Sequence, residues 1–147
     1  MNVSREYYIN DAGNQINNLA ASVNARYLEQ LGQTVEFPEN GYHGHDIIET
    51  AERIVRIYGD RFLNMSEEER LKEFRTIALK EKLAALKEDL EAFNVTYDEW
   101  FSEQTLHDAN AIKNACDLLT ERGYLYEEGG ALWLKATEYG DDKDRVV

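Results

Sequence analysis

The sequence predicts a helix-rich α/β fold, and three observations support this. A short run of β-forming residues opens the chain, and three segments follow in which apolar residues recur every three or four positions. Two short apolar runs then flank a pair of glycines near the C-terminus, a pattern typical of a β-hairpin. With a fourth helical segment before the hairpin, the predicted order is β-α-α-α-α-β-β, without an internal repeat.

The first predicted unit is a strand joined to a helix by a tight turn. Val3 to Asn10 is rich in β-forming residues, and its nearly continuous apolar run predicts a parallel strand buried on both faces. Asn10 to Asn14 has turn chemistry, in which Asp11 could cap the next helix. Apolar residues at helical spacing then predict one buried stripe that ends at Gly32.

The next two helices follow a loop marked by Pro38 and Gly41. A capping-box pair, Ser66 and Glu69, predicts the start of the longer helix, which should run to about Asn94. Its many charged residues are interpreted as a solvated face. The pairs assigned to that face are Glu69 with Glu73 and Glu81 with Lys82.

The C-terminal third predicts mixed structure. Tyr97 to Phe101 fits either a short strand or an extended segment. Asp108 to Arg122 predicts a helix with Ile112, Ala115, Cys116 and Leu119 turned inward. The segments Tyr124 to Glu127 and Ala131 to Leu134 should then pair as the hairpin.

No cluster of side chains predicts a metal site or a catalytic group. Cys116 is the only cysteine, which excludes an intramolecular disulfide, and we interpret it as a buried, inert thiol. The run His43-Gly44-His45 is one residue shorter than a phosphate-binding HxGH signature and fits a surface turn. The acidic run Asp141 to Asp144 lacks the glycine and distal glutamate of a calcium loop, so a solvated turn is expected.

Composition limits the remaining function classes. No apolar run reaches the roughly 20 residues that span a bilayer, the start is not a signal peptide, and the composition fits a cytoplasmic protein without a membrane partner. The net charge of -13 opposes binding to a phosphate backbone. No glycine-rich phosphate loop or nucleophile–histidine arrangement occurs, so these patterns alone indicate no reaction.

Glu6 to Gln15 reads EYYINDAGNQ and closely resembles the EYYxNDAGxQ junction of bacterial-type arginyl-tRNA synthetases. The resemblance covers essentially the whole chain. It continues through FPENGYHG at positions 37–44, FSE at 101–103, WLK at 133–135 and GDDKDRVV at 140–147. One departure is His45, which stands where the family commonly has an acidic residue.

The resemblance implies an internal fragment of the catalytic domain of a class Ia ligase. The expected parts are a Rossmann strand–helix unit at 1–32, a helical connective insertion at 33–96, and a strand, helix and hairpin at 97–147. The family activates arginine with ATP and magnesium and transfers it to tRNA(Arg). Its HxGH signature is expected before Met1, and its KMSK-like loop and arginine-binding tyrosine and aspartate after Val147. The isolated chain is therefore expected to be inactive and to hold no cofactor.

The resemblance also supplies candidate substrate-binding residues, namely Asn10, Asp11, Gly13 and Gln15. They match the family motif at the carboxyl end of a strand, where open α/β sheets bind ligands. The alternative is purely structural, with Asp11 capping the helix and Gly13 allowing close packing.

A different class of function also fits the helical periodicities, an acidic module that binds a protein partner through its helices. The two ends favour the fragment, since the opening strand has no partner nearby and Arg145 to Val147 begins a new strand. The rest of the synthetase is then the expected partner. An exposed strand edge and unpaired apolar faces would promote artificial dimerisation of the fragment.

Overall fold

The computed structural model describes residues 1–147 and is mixed α/β. It divides into two compact units, Met1–Phe101 and Ser102–Val147. The elements up to the boundary are β1 (Glu6–Ile9), α1 (Asn14–Gln30), α2 (His45–Tyr58), a 3-10 turn (Arg61–Asn64), α3 (Glu67–Ala92) and β2 (Glu99–Ser102). Those that follow are α4 (Gln104–Asp108), α5 (Ala111–Glu121), β3 (Leu125–Glu128), β4 (Ala131–Leu134), a 3-10 turn (Ala136–Tyr139) and β5 (Arg145–Val146).

The core of the first unit lies where α1, α2 and α3 pack together. Their apolar residues recur at helical spacing, so each helix presents one stripe to the other two. The fully buried side chains include three aromatic rings in edge-to-face contact, with centroids 4.9 to 6.0 Å apart. These rings belong to Tyr27, Phe62 and Phe74. The predicted helical periodicities are therefore confirmed in this unit.

Buried polar groups join the helices. The Tyr27 hydroxyl donates to the Gly59 carbonyl oxygen at 2.9 Å and accepts from the Phe62 amide at 3.3 Å. Arg70 of α3 donates from Nε to the Asn24 side-chain oxygen of α1 at 2.6 Å. Because unpaired polar groups are costly when buried, these contacts fix how the helices meet.

The start of α3 is a capping box, as predicted. The Ser66 hydroxyl accepts from the Glu69 amide, and the Glu69 carboxylate accepts from the Ser66 amide. These bonds lower the pKa of the Glu69 carboxyl, with the Ser66 hydroxyl as the largest cause. The helix ends at Ala92, close to the predicted end, and Phe93 beyond it is 81% exposed.

The predicted first strand pairs with β2, so Tyr97 to Phe101 does contain a strand. Contacts advance in the same direction along both strands: Glu99 donates to the Arg5 carbonyl, and the rings of Tyr7 and Trp100 stack at 4.7 Å. The pair is therefore parallel, as expected. Burial of β1 on both faces is wrong, because side chains alternate between half-buried and exposed along this two-stranded sheet.

In the second unit the predicted helix begins three residues later than expected, at Ala111, and a short helix that was not predicted, α4, precedes it. Asn110 adopts a left-handed conformation, with φ of 53°, which ends α4 and starts α5. Asparagine tolerates this conformation better than most residues. No side chain of α5 is fully buried. The predicted inward stripe is wrong at Ile112 and Ala115, which are exposed, while Leu119 is half-buried. Cys116 is likewise half-buried rather than buried.

The hairpin forms as predicted, with Leu125 opposite Leu134 and Glu128 opposite Ala131. Both turn glycines have positive φ, 61° and 78°, which is the requirement of a two-residue type I′ turn. A third strand, β5, pairs antiparallel with β4. No helix is long and apolar enough to cross a membrane.

The acidic turn at 141–144 organises the end of the chain. Asp144 accepts hydrogen bonds from the Thr137 amide and hydroxyl and from the Tyr126 hydroxyl, and these bonds lower the pKa of its carboxyl. Asp141 pairs with Arg145 at 2.6 Å. No group of three or more histidine, cysteine or acidic side chains is arranged to hold a metal ion.

Candidate functional site

The junction between β1 and α1 is a tight turn of unusual backbone geometry. The Asp11 amide donates to the Ile9 carbonyl at 3.0 Å, which closes a three-residue turn centred on Asn10. Gly13 then has φ of 86° and ψ of -168°, a combination that is essentially restricted to glycine. This turn delivers the chain from the carboxyl end of a strand into a helix.

The structure corrects both parts of the purely structural alternative for this turn. Gly13, not Asp11, occupies the cap position of α1, and as a glycine it has no side chain to cap the helix. A Cβ atom built on Gly13 meets nothing within 4 Å, so close packing does not require glycine at this position. The backbone dihedral angles require it instead.

Asp11 is buried, with 8% of its surface exposed, although it lies in a turn. Arg75 of α3 reaches this turn and donates from Nη2 to the Asp11 carbonyl oxygen at 2.8 Å. A guanidinium hydrogen bond to a carbonyl is charge-assisted and stronger than a neutral one. The turn is thus tied to a helix 64 residues away in sequence.

A cleft of about 300 Å³ lies beside this turn. Its wall combines the first two turns of α1, the loop before α2, the first turn of α2 and one residue of α3. Apolar side chains of Ile16, Leu19 and Ile47 form part of the lining. The polar and loop residues of the lining are Gln15, Tyr42, His43, Gly44, Asp46 and Lys82.

An ion pair closes one side of the cleft. Lys82 of α3 donates to the Asp46 carboxylate at 2.6 Å, and this bond lowers the pKa of the Asp46 carboxyl. The neighbouring Glu81 accepts from the buried Thr50 hydroxyl at 2.7 Å and from Arg53 at 3.0 Å. The predicted solvated face is therefore wrong at these two positions of α3, because both side chains are used in packing against α2.

The histidine run forms a surface loop at the mouth of the cleft, as predicted. Both histidines are exposed, and the His43 ring lies 4.6 Å from that of Phe37. His45 is the first residue of α2 and lies 3.7 Å from Glu49. At this helix N-terminus the acidic side chain in the first turn is Asp46, which is favourable beside the positive end of the helix dipole.

The four predicted site residues occupy one continuous segment with different surroundings. Asn10 is exposed, Asp11 is buried, and Gly13 forms the strained link. Of the four, Gln15 lines the cleft. Sequence reasoning missed the contributions of Arg75 and Lys82, since both lie on α3 and carry no local signal.

The chain is similar to known proteins over nearly its whole length, although no family model matches it. It is 58% identical over 145 residues to the arginine–tRNA ligase of Carboxydothermus hydrogenoformans and 54% identical over 145 residues to that of Bacillus subtilis. Each match covers 99% of this chain and 26% of the relative. The chain thus spans about a quarter of the length of these curated relatives.

A solved structure agrees. The crystal structure of a Campylobacter jejuni protein described as an arginyl-tRNA synthetase superposes with a TM-score of 0.79 at 34% identity, covering 98% of this chain and 31% of the other. Fold and sequence together place the chain among the aminoacyl-tRNA synthetases. Within that class it belongs to the arginine–tRNA ligase family, as a segment of such an enzyme, which confirms the resemblance carried by residues Glu6 to Gln15.

Proposed function

We propose that the chain supplies part of the catalytic domain of an arginine–tRNA ligase, which activates arginine with ATP and magnesium and transfers it to tRNA(Arg) in the cytoplasm. The observation that carries this proposal is the 58% identity over 145 residues, which extends over 99% of the chain. No comparison supports the alternative of an acidic interaction module. The remainder of the synthetase is the partner that we assign to this segment.

We assign the β1–turn–α1 segment, residues 1–32, to a Rossmann-like nucleotide-binding fold. Its support is a strand that leads through a polar turn into a helix, and a parallel partner strand, β2, that follows much later in sequence. Parallel strands require such a crossover. Residues 33–96 then form the helical connective insertion, and 97–147 the returning strand, helices and hairpin.

The four site residues have distinct proposed roles. Asn10 and Gln15 are exposed amides, and each can donate to and accept from polar groups of arginine or ATP. Asp11 and Gly13 shape the turn that presents them. The charge of Lys82 is already neutralised by its ion pair with Asp46, so this lysine is not available to bind phosphate. We therefore assign Gln15, on the wall of the same cleft, a role in hydrogen bonding to the substrate.

The whole enzyme stabilises the transition state of adenylate formation by positioning its substrates and by electrostatic contacts. In the whole enzyme ATP would supply the adenylyl group with release of pyrophosphate, and magnesium would neutralise charge on the phosphates. The residues of this chain orient substrate polar groups at the carboxyl end of β1. In our proposal the chain alone catalyses no step.

A chimera tests the proposed function. The segment of the Bacillus subtilis ligase that aligns with this chain is replaced by residues 1–147, and arginine-dependent ATP–pyrophosphate exchange and tRNA charging are measured. We expect activity within about tenfold of the parent, since relatives at this identity keep the same core packing. A folded, monodisperse chimera without exchange activity would contradict the proposal. The isolated chain is expected to show no exchange.

The site assignment has its own matched pair of variants. In the chimera, Gln15→Ala should raise the KM for arginine or ATP about tenfold, the equivalent of one lost hydrogen bond of roughly 1.4 kcal/mol. Asn17→Ala is the control, because Asn17 is also exposed on α1 but does not line the cleft. Equal KM values for the two variants would remove Gln15 from the site.

A further inference from the structure

We propose that Arg75 is a positioning residue for the turn that carries Asn10 and Asp11. This inference rests on the proposed function, because it assigns Arg75 to the same site. Arg75 is not placed among the substrate-binding residues. It acts through the main chain of the turn, which it holds from α3.

The turn leads into a helix start that lacks two of the usual stabilising devices. A hydrogen bond from the Asp11 amide to the Ile9 carbonyl closes the turn. The dihedral angles of Gly13 then direct the chain into α1. The following helix has no side-chain cap at Gly13 and no acidic residue in its first turn. Helix starts are usually stabilised by one of these devices, so the contact from Arg75 adds a restraint that the start of α1 does not supply itself.

Arg75 supplies such a contact from a rigid base. It donates to the carbonyl oxygen of Asp11 and so restrains the backbone directly. Its neighbour Phe74 and the residue one turn later, Ala78, are both fully buried in the helical core. The guanidinium therefore extends from the best-packed part of α3, and its position is set by the core.

A second side-chain contact also joins α3 to α1. One turn earlier on α3, Arg70 binds the buried side chain of Asn24 on α1. The two arginines join the turn before α1 and the middle of α1 to the same helix, α3. The turn that carries Asn10 and the helix that follows it are therefore both held by side chains of α3.

The chemistry of the contact predicts which substitution should rescue function. A methionine at position 75 keeps an apolar stem and removes the donor. A lysine keeps one charged donor that can reach the same carbonyl oxygen, although it lacks the planar fork. If Arg75 positions the turn, lysine should restore most of the kcat that methionine loses. If only the packing of the stem matters, methionine should leave kcat unchanged.

The test uses the chimera described above. Arg75→Met should lower kcat for arginine-dependent ATP–pyrophosphate exchange by about 10- to 100-fold, with KM changed by less than about threefold, because small displacements of positioning groups act mainly on the reacting geometry. Arg75→Lys should recover kcat to within about fivefold. The control is Ile54→Val, a core variant on α2 that lowers the Tm without touching the turn.

Two kinetic outcomes would overturn the proposal: a kcat for Arg75→Met within twofold of the unmodified chimera, or an equal loss of kcat in Ile54→Val at a matched Tm. A second measurement separates this failure from failure of the proposed function. In the 147-residue chain, Arg75→Met should speed amide hydrogen exchange at Asp11 and Ala12 about tenfold and leave α3 unchanged, since it frees the turn. An inactive unmodified chimera would refute the proposed function, while unchanged exchange at these amides would refute the role of Arg75.

Discussion

Removing the Tyr27 hydroxyl isolates one buried polar contact from the aromatic packing around it. Tyr27→Phe keeps the ring and its edge-to-face contact with Phe74 at 4.9 Å. It deletes the donor to the Gly59 carbonyl and the acceptor for the Phe62 amide. Tyr27 is 0% exposed and its bond with the Phe62 amide is buried, so that amide loses its partner away from water, whereas Gly59 is an exposed residue.

The expected loss follows from these two bonds. The shorter hydrogen bond, at 2.9 Å, should contribute about 1 to 1.5 kcal/mol, and the longer one, at 3.3 Å, about 0.5 to 1 kcal/mol. Together they give a loss of roughly 2 kcal/mol in the free energy of unfolding. For a chain of this size the Tm should fall by about 6 °C. Urea unfolding followed by helix circular dichroism measures the change in the free energy of unfolding.

Tyr58→Phe is the matched control, because its ring also packs on Phe62 and it is 37% exposed. It should change the free energy of unfolding by less than about 0.5 kcal/mol. A loss below about 0.5 kcal/mol for Tyr27→Phe as well would refute the reasoning about the buried hydroxyl.

The same hydroxyl predicts a pH dependence. Burial raises the pKa of Tyr27 above its ordinary value of 10.0, so the folded state holds this proton more tightly than the unfolded state does. The stabilisation is complete below pH 10 and is lost as pH rises through the folded pKa. Tyr27→Phe should therefore show a weaker decline in stability above pH 10 than the unmodified chain.

Three further changes have expected outcomes. Gly13→Ala should cost about 1 to 3 kcal/mol in urea unfolding purely through its backbone angles, because an added Cβ meets no atom, and an unchanged midpoint would contradict the observed φ. Asp46→Asn should lower the free energy of unfolding by about 0.5 kcal/mol at pH 7, after allowing for solvent screening of an exposed pair. Because the pair lowers the pKa of Asp46 in the folded state, this difference should vanish as pH falls below the ordinary Asp pKa of 3.8. The isolated chain, with net charge -13, should bind tRNA(Arg) far more weakly than the chimera in filter binding at about 0.15 M salt. Equal affinities would contradict the proposal that other parts of the enzyme carry the tRNA contacts.

Features with a short-range cause were predictable from sequence. The capping box needs only Ser66 and Glu69, three positions apart, and the hairpin needs only two glycines between apolar runs. Each signal contains both of its interacting partners within a few residues. The helical stripes of α1, α2 and α3 follow from periodicity in the same way.

Features that depend on distant partners could not be predicted in this way. Glu81 and Lys82 look like solvated residues of a charged helix, but α2 packs beside them and takes both as partners. The motif includes Gly13, but the pair of dihedral angles that requires glycine at this position is not apparent from the sequence. Arg75 has no motif at all, since its target is a main-chain oxygen.

The pairing of β1 with β2 affects how the first unit can fold. The contact between Arg5 and Asp98 joins residues 93 apart, and closing a flexible loop of that length costs about 4 kcal/mol of chain entropy. Prior assembly of α1, α2 and α3 shortens the effective loop and removes most of that cost. We therefore expect the strand pair to form late, as a high-contact-order step that depends on the helices, and the turn with Asn10 to acquire its final form only after the helical core exists.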